Sequence, residues 1–157
     1  MTVRIAHLIE APGAAQALAQ WFANEWAPWY GPDGDGDAAV DLAACADTAR
    51  LPLCLVALDE DGTVIGTASL RTESVGSELG VGPWLAALLV RRDRRGEGIG
   101  GALVNGVVDE ARRLGFDAIY SSMASVEETP GGLAWERIGA ARSLRGDVSV
   151  FRLDLEG

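Results

Sequence analysis

Seven consecutive residues, Arg95-Gly96-Glu97-Gly98-Ile99-Gly100-Gly101, have types and spacing suited to one chemistry, the holding of phosphate on backbone N–H groups. Glycine lets the main chain approach an anion closely. The first turn of a helix carries N–H groups without partners and the positive end of the macrodipole. Both features are in prospect here. The apolar run Trp84-Leu85-Ala86-Ala87-Leu88-Leu89-Val90 precedes the glycines, and an amphipathic segment begins at Ala102. A buried strand, a glycine-rich turn and a helix make an anion site from backbone alone.

Two familiar phosphate motifs do not fit. A P-loop needs a lysine after its last glycine, and this chain contains no lysine. The spacing G-x-G-x-x-G is present at Gly96, Gly98 and Gly101, but its context is wrong for a dinucleotide. Arg91-Arg92-Asp93-Arg94-Arg95 separates the strand from the glycines. Where an acid should hold a ribose, the chain has Tyr120-Ser121-Ser122.

A third pattern fits residue by residue. Arg95-Gly96-Glu97-Gly98-Ile99-Gly100, followed by Ala102-Leu103, resembles the Arg/Gln-x-x-Gly-x-Gly/Ala motif of the GNAT superfamily of acyl-CoA-dependent N-acyltransferases. Leu88-Leu89-Val90 is similar to that family's fourth strand. Ala134-Trp135-Glu136-Arg137-Ile138-Gly139 weakly resembles the Leu-Tyr-Glu-Lys-Leu-Gly ending of its last helix. The resemblance implies acetyl-CoA as cosubstrate and no metal. It puts the pyrophosphate on the N–H groups of Arg95, Gly96, Glu97, Gly98, Ile99, Gly100 and Gly101, with Arg95 or a neighbour as a fixed cation. It pairs the pantetheine arm with the backbone of Leu88, Leu89 and Val90, like an added strand. It places the Leu88 N–H on the thioester oxygen.

The catalytic carry-over is thinner. Protein-lysine-acetylating relatives carry a Glu on the fourth strand where this chain has Trp84. The last-helix Tyr acid of many relatives is matched by Trp135, whose indole donates a hydrogen bond but no proton. A thiol ionises near a pKa of about 8.5, so a thiolate leaves with modest help. Tyr120 is a substitute acid, or simply a packed tyrosine. Glu73 is the first candidate base and Glu25 the second. Each reads equally as a solvated surface carboxylate. Trp26, Trp29 and Tyr30 crowd the loop that lines the family's acceptor site. Aromatics with nearby acids suit an ammonium group, and helix packing is the competing account.

The resulting expectation is an N-acetyltransferase that moves an acetyl group from acetyl-CoA to a primary amine of a small cationic substrate, by direct attack in a ternary complex. The alternatives are a protein N-terminal or lysine acetyltransferase and a non-catalytic acyl-CoA-binding module. Assembly as a homodimer stays open.

Composition bounds the rest. The chain has 157 residues and a formal net charge of −10. Such acidity opposes nucleic-acid binding and favours a cationic substrate on encounter. The longest wholly apolar run, Trp84 to Val90, is too short to span a bilayer. The start of the chain lacks the apolar core of a signal peptide, so a cytoplasmic location is the expectation. Cys45 and Cys54 fall in unlike contexts and read as small core residues. His7 is the sole histidine, which leaves a zinc site or a Ser-His-Asp triad little to draw on.

The elements that must position these groups follow from periodicity. A strand is predicted over Thr2 to Leu8. A helix follows, opened by Pro12 and carrying Ala14, Leu18, Trp21, Phe22 and Trp26 at helical spacing. Trp26 to Gly36 breaks the pattern, and a second helix runs from Asp37 to Ala49 with Val40, Leu42, Ala43 and Ala46 apolar. Leu51 to Leu58 and Thr63 to Leu70 form a hairpin about Asp59-Glu60-Asp61-Gly62. Thr72 to Val81 is a polar loop. Leu103, Val104, Val107, Val108, Ala111 and Leu114 make one face of a helix that Gly115 ends. Phe116 to Met123 is a strand, Glu127 to Gly132 a loop, and Pro130 opens a short helix ending near Gly139. A last hairpin joins Ala140–Arg145 to Val148–Leu155 about Gly146-Asp147. The fold class is α/β, a GNAT-like domain over residues 1–157 with a mixed, mostly antiparallel sheet flanked by helices on both faces.

Overall fold

The computed structural model describes residues 3–11, 13–45, 51–123, 133–143 and 146–155. Its centre is a seven-stranded sheet built from β1 (Arg4–His7), β2 (Leu53–Leu58), β3 (Val64–Arg71), β4 (Trp84–Val90), β5 (Ala118–Met123), β6 (Glu136–Ser143) and β7 (Gly146–Asp154). The spatial order is β1-β2-β3-β4-β5-β7-β6. Every neighbouring pair is antiparallel except β4 and β5, which run parallel. The α-helices among the described residues are α1 (Ala14–Glu25), the single turn α2 (Ala27–Tyr30), α3 (Ala38–Ala44) and α4 (Ile99–Arg113).

The wholly apolar run of β2 is explained by cover on both sides. Leu53, Leu55 and Ala57 point into the core under α4, and Cys54, Val56 and Leu58 into the core under α1 and α3. The stripe Leu103, Val104, Val107, Val108 and Ala111 seals α4 to the first layer. Ala14, Leu18 and Phe22 seal α1 to the second. Each buried leucine of this kind contributes about 1.5–3 kcal/mol. Gly106 sets how closely α4 lies on the sheet, because a Cβ there would stand 2.9 Å from Leu55 Cδ1.

Local signals account for most boundaries. The Asp59 carboxylate accepts from the N–H groups of Asp61 and Thr63, which closes the β2–β3 turn. Asp37 caps α3 by accepting from the Val40 N–H. Of the predicted face Leu42 is buried, but Val40 is 61% exposed; α3 buries Ala38 and Leu42, with Cys45 at its end.

One predicted element is wrong. Residues near Gly139 do not end a helix; Glu136 to Ser143 form the edge strand β6, paired with β7. A stretch as short as Pro130 to Gly139 is too short to hold a stable helix by itself, whereas the open edge of β7 satisfies the backbone from Glu136 onward. The final turn also moves, since β7 already begins at Gly146 opposite Ser143. Pro12, Ala46 to Ala49 and the predicted 127–132 loop with Pro130 lie outside the described residues.

Candidate functional site

Two distortions on opposite edges of β4 create the site. On one edge, Thr67 of β3 pairs with Leu89 and Ser69 with Ala86, so Ala87 and Leu88 together stand opposite Ala68. This is a β-bulge, which leaves ladder groups unpaired and bends the strand. Ala87 adopts φ 54°, uncommon for a residue with a Cβ and a cost of about 1–3 kcal/mol. On the other edge, one register pair, Trp84 with Tyr120, joins β4 to β5. Beyond it the parallel strands part, and Ala86, Ala87 and Leu88 become half-buried. An extended ligand with amide groups can therefore lie along this half of β4.

The glycine turn meets the end of that opening. Gly96 and Gly98 both take φ 83°, the left-handed region that glycine enters without penalty. A Cβ built on either meets nothing within 4 Å, so the space above the turn is open. Gly98 precedes α4, whose ladder starts with the Ala102 N–H donating to the Gly98 carbonyl. The N–H groups ahead of Ala102 thus lie before the ladder, at the positive end of a fifteen-residue helix. Arg95 Nε donates to the Val90 carbonyl at 2.9 Å and ties the turn to β4. Glu97 turns aside to Arg94, whose Nε donates to its carboxylate at 3.0 Å.

A cleft of about 340 Å³ gathers these parts. It is lined by Leu88, Leu89, Val90, Arg94, Arg95, Gly96, Gly98, Ile99 and Gly100, with Glu25 from the end of α1. Open space over the glycines, two arginines and a strand edge fit the phosphate and amide groups of CoA. Among the described residues no group of three His, Cys, Asp or Glu side chains could hold a metal.

Glu73, the other candidate base, lies elsewhere. It lines a second cleft of about 340 Å³ with Asp41, Ala44, Cys45, Pro52, Arg71 and Thr72. That cleft opens between α3 and the end of β3. Thr67, Ser69 and Arg71 alternate along β3 on the face that α3 covers, so Arg71 follows the strand period into the cleft wall. Burial opposes its charge, but Cys45, Tyr30 and Asp41 raise its pKa further above the usual arginine range. The Tyr30 hydroxyl donates to Asp41 at 2.5 Å. Burial, then this hydrogen bond, raises the pKa of Tyr30 and keeps its proton in place.

Of the aromatic segment, Trp26 and Tyr30 pack on Phe22 while Trp29 stays exposed. Phe22 meets Trp26 edge-on at 5.0 Å and stacks with Tyr30 at 5.8 Å. A Cβ at Gly36 would strike the Trp29 indole at 2.4 Å, so the 31–36 loop lies against that ring, which nonetheless stays 43% exposed. Trp26, Trp29 and Tyr30 line neither of the two clefts. Tyr120 packs beside Trp84 with ring centroids 5.9 Å apart. Trp135 stands ahead of β6, half-buried against the α4 core.

Neither cysteine offers a thiolate. Burial pushes the Cys45 thiol up to about 11, and burial also raises Cys54. Both remain protonated near neutral pH, so neither can take an acyl group readily.

Sequence reasoning missed Arg71, Asp41 and the bulge at Ala87. A charge at the end of an apolar strand reads as a surface residue, and nothing in Ala86-Ala87 marks a positive φ. For Asp41, helical spacing places it one turn after Asp37 but not which way it faces.

Residues 16–129 match the model of the acetyltransferase (GNAT) family. No curated protein sequence matches the chain. Among solved structures, an aminoglycoside 6'-N-acetyltransferase in complex with coenzyme A superposes with TM-score 0.73 at 15% identity, covering 98% of each chain. The aminoglycoside 6'-N-acetyltransferase from Enterococcus faecium gives TM-score 0.71 at 16% identity, over 100% of this chain and 98% of that one. A Salmonella typhimurium protein solved with acetyl-CoA gives 0.68 at 20% identity, over 100% and 96%.

Proposed function

The chain belongs to the acetyltransferase (GNAT) family and is an acetyl-CoA-dependent N-acetyltransferase; we propose that it acetylates the primary amine of a small substrate that arrives as a cation, by direct attack in a ternary complex. The carrying observation is the bulge at Ala87-Leu88 on the half of β4 that β5 leaves open, next to the glycine turn. An acidic surface that favours ammonium groups on encounter supports the acceptor class, as do neighbours named for acting on aminoglycosides.

In this reading residues 95–101 hold the pyrophosphate, and the edge of Leu88 to Val90 pairs with the pantetheine amides. The Leu88 N–H, at the bulge, points its dipole at the thioester oxygen as charge develops there. Acetyl-CoA supplies the activated acyl group. Attack by the neutral amine forms the C–N bond, and collapse breaks C–S and releases a thiolate. The amine proton goes to a carboxylate, directly or through water, because an alkyl ammonium is almost wholly protonated at neutral pH. Glu73 is the better placed base, since it shares a cleft with further polar groups on the bulge's face of the sheet; Glu25 lines the cofactor cleft. Tyr120, beside Trp84 at the point of parting, is the candidate to return a proton to the thiolate. The buried, protonated cysteines favour direct transfer over an acyl-enzyme. The test is acetyl-CoA-dependent thiol release across an amine panel, and thiol release that tracks no amine would overturn the reading.

A further inference from the structure

We infer that Gly66 of β3 is a positioning residue for the cofactor cradle proposed at residues 95–101. The empty space it leaves on the sheet seats the first turn of α4, and the depth of that turn sets where the cradle N–H groups point. The inference rests on the acetyl-CoA reading and names what holds its phosphate site in place. Three observations carry it.

The first is the closeness of the fit. Gly66 is buried within β3, paired with Ala57 of β2 on one side and Val90 of β4 on the other. A Cβ built on it would stand 3.0 Å from Leu103 Cδ1 and 3.3 Å from Ile99 Cγ2. Carbon atoms in good contact are about 3.5–4.0 Å apart, so a methyl group there is already crowded. Ile99 and Leu103 are both buried, and at four residues apart they share one face of α4. They come down directly on the Gly66 backbone. The φ of Gly66 lies outside the left-handed region, so the chain path does not call for a glycine. A glycine inside a strand weakens it and marks close approach by another element.

The second is position. Ile99 follows Gly98 at the start of α4, so the seating of Ile99 fixes the turn just before it. The same added Cβ would press on the Leu89 carbonyl at 3.3 Å. Beyond Leu89, the Val90 carbonyl holds Arg95 Nε, and the Arg91 N–H donates to the Ile65 carbonyl at 2.8 Å. The start of the helix, the glycine turn and the end of β4 therefore converge on Gly66.

The third is the floor around it. Ala57, its partner on β2, and Ala68, two residues along β3, belong to the same core under α4. Two large side chains of α4 thus enter a recess made by a glycine and two alanines. Such a recess fixes the depth of the helix start, because interiors are packed too tightly to let it slide.

The test measures the dissociation constant of the whole protein for CoA by calorimetry, alongside its melting temperature. Gly66→Ala displaces the first turn by a few tenths of an ångström and should weaken CoA binding about tenfold. Leu103→Val removes the Cδ1 atom nearest the new Cβ. The double variant, Gly66→Ala with Leu103→Val, should therefore recover most of that affinity. General damage to the core predicts the opposite, since two destabilising changes add. A normal dissociation constant in Gly66→Ala, or a loss that Leu103→Val does not reverse, overturns the positioning role; the cradle still stands if Gly98→Val abolishes binding. Absence of CoA binding by the wild type overturns both. If Gly66→Ala does not fold, the recess is tested from the helix side. Ile99→Ala empties it and should weaken CoA binding by a similar factor. Val107→Ala, on the same buried face about two turns along, should lower the melting temperature and leave binding unchanged. Equal dissociation constants in those two variants refute the positioning role.

Discussion

Trp84 on β4 lies directly opposite Tyr120 on β5, the one register pair between these parallel strands, with ring centroids 5.9 Å apart. Tyr120 is further tied by its N–H to the Pro83 carbonyl at 2.9 Å, and Ser121 by its hydroxyl to the Leu85 carbonyl at 3.2 Å. These ties pin the strands at one end. The Trp84 ring is fully buried and its Nε1 donates to the Val81 carbonyl. The pinned end is therefore rigid, and the open end from Ala86 onward is where an extended ligand can enter.

Acetyl-CoA should raise the melting temperature, and Gly98→Val should abolish the shift. A side chain at Gly98 meets no protein atom, so it projects into the space assigned to pyrophosphate. The φ of 83° adds backbone strain of about 1–2 kcal/mol. Gly62→Val is the control, with φ 78° and equally open space in the β2–β3 turn. It should lose similar stability and keep the shift. Normal CoA binding by Gly98→Val would refute the cradle.

Affinity for acetyl-CoA should fall with salt, and analogues without phosphate groups should bind more weakly. Arg94, Arg95 and the start of α4 present positive charge to the cleft proposed for the cofactor. Arg95→Gln also loses the tie to Val90 and should weaken binding about tenfold by calorimetry. Affinity indifferent to salt would assign binding to the pantetheine arm.

Glu73→Gln should lower the transfer rate most at pH below the pKa of the acceptor amine, and least where free amine is abundant. Glu25→Gln, in the cofactor cleft, should instead act mainly on the KM for acetyl-CoA. If neither substitution reshapes the pH–rate profile, a water held by backbone is the base.

Trp135→Phe should leave transfer intact, since the indole carries no transferable proton. Trp135→Tyr should bring no acid catalysis, because this position precedes a strand rather than sitting in a helix. Trp135→Ala should cost about 1–3 kcal/mol in denaturant melts through lost packing on the α4 core. A rate gain in Trp135→Tyr would show that the residue faces the thiol after all.

Stability should fall from about pH 9 upward. The Cys45 thiol has its pKa raised by burial from an ordinary 9.0 to about 11. The unfolded chain then loses this proton before the folded one does. The contribution is complete below pH 9 and is lost as pH rises through the folded value. Cys54, raised by burial too, acts in the same direction. Cys45→Ala should flatten the alkaline slope in melts between pH 8 and pH 10, and an unchanged slope would assign it to other groups.

The sequence by itself determined the parts of this protein that depend on local chemistry. A seven-residue apolar run followed by arginines and glycines was enough to place a covered strand, a glycine turn and a helix in that order. The spacing from Leu103 to Ala111 could only be the buried stripe of a helix. Asp59 and Gly62 wrote their own turn. Tertiary structure decided everything set by a neighbour distant in the chain. Whether Glu136 to Ser143 became helix or strand depended on the open edge of β7, not on its own residues. Whether Ala87 left the ladder depended on strain shared between β3 and β4. The charge of Arg71 is plain in the sequence, but its burial beneath α3, beside Asp41 and Tyr30, exists only once β3 and α3 are packed. Net acidity, a sum over the whole chain, pointed to a cationic acceptor. The local field in the α3 cleft adds a buried cation, because interactions among desolvated charges outweigh those of distant, screened ones.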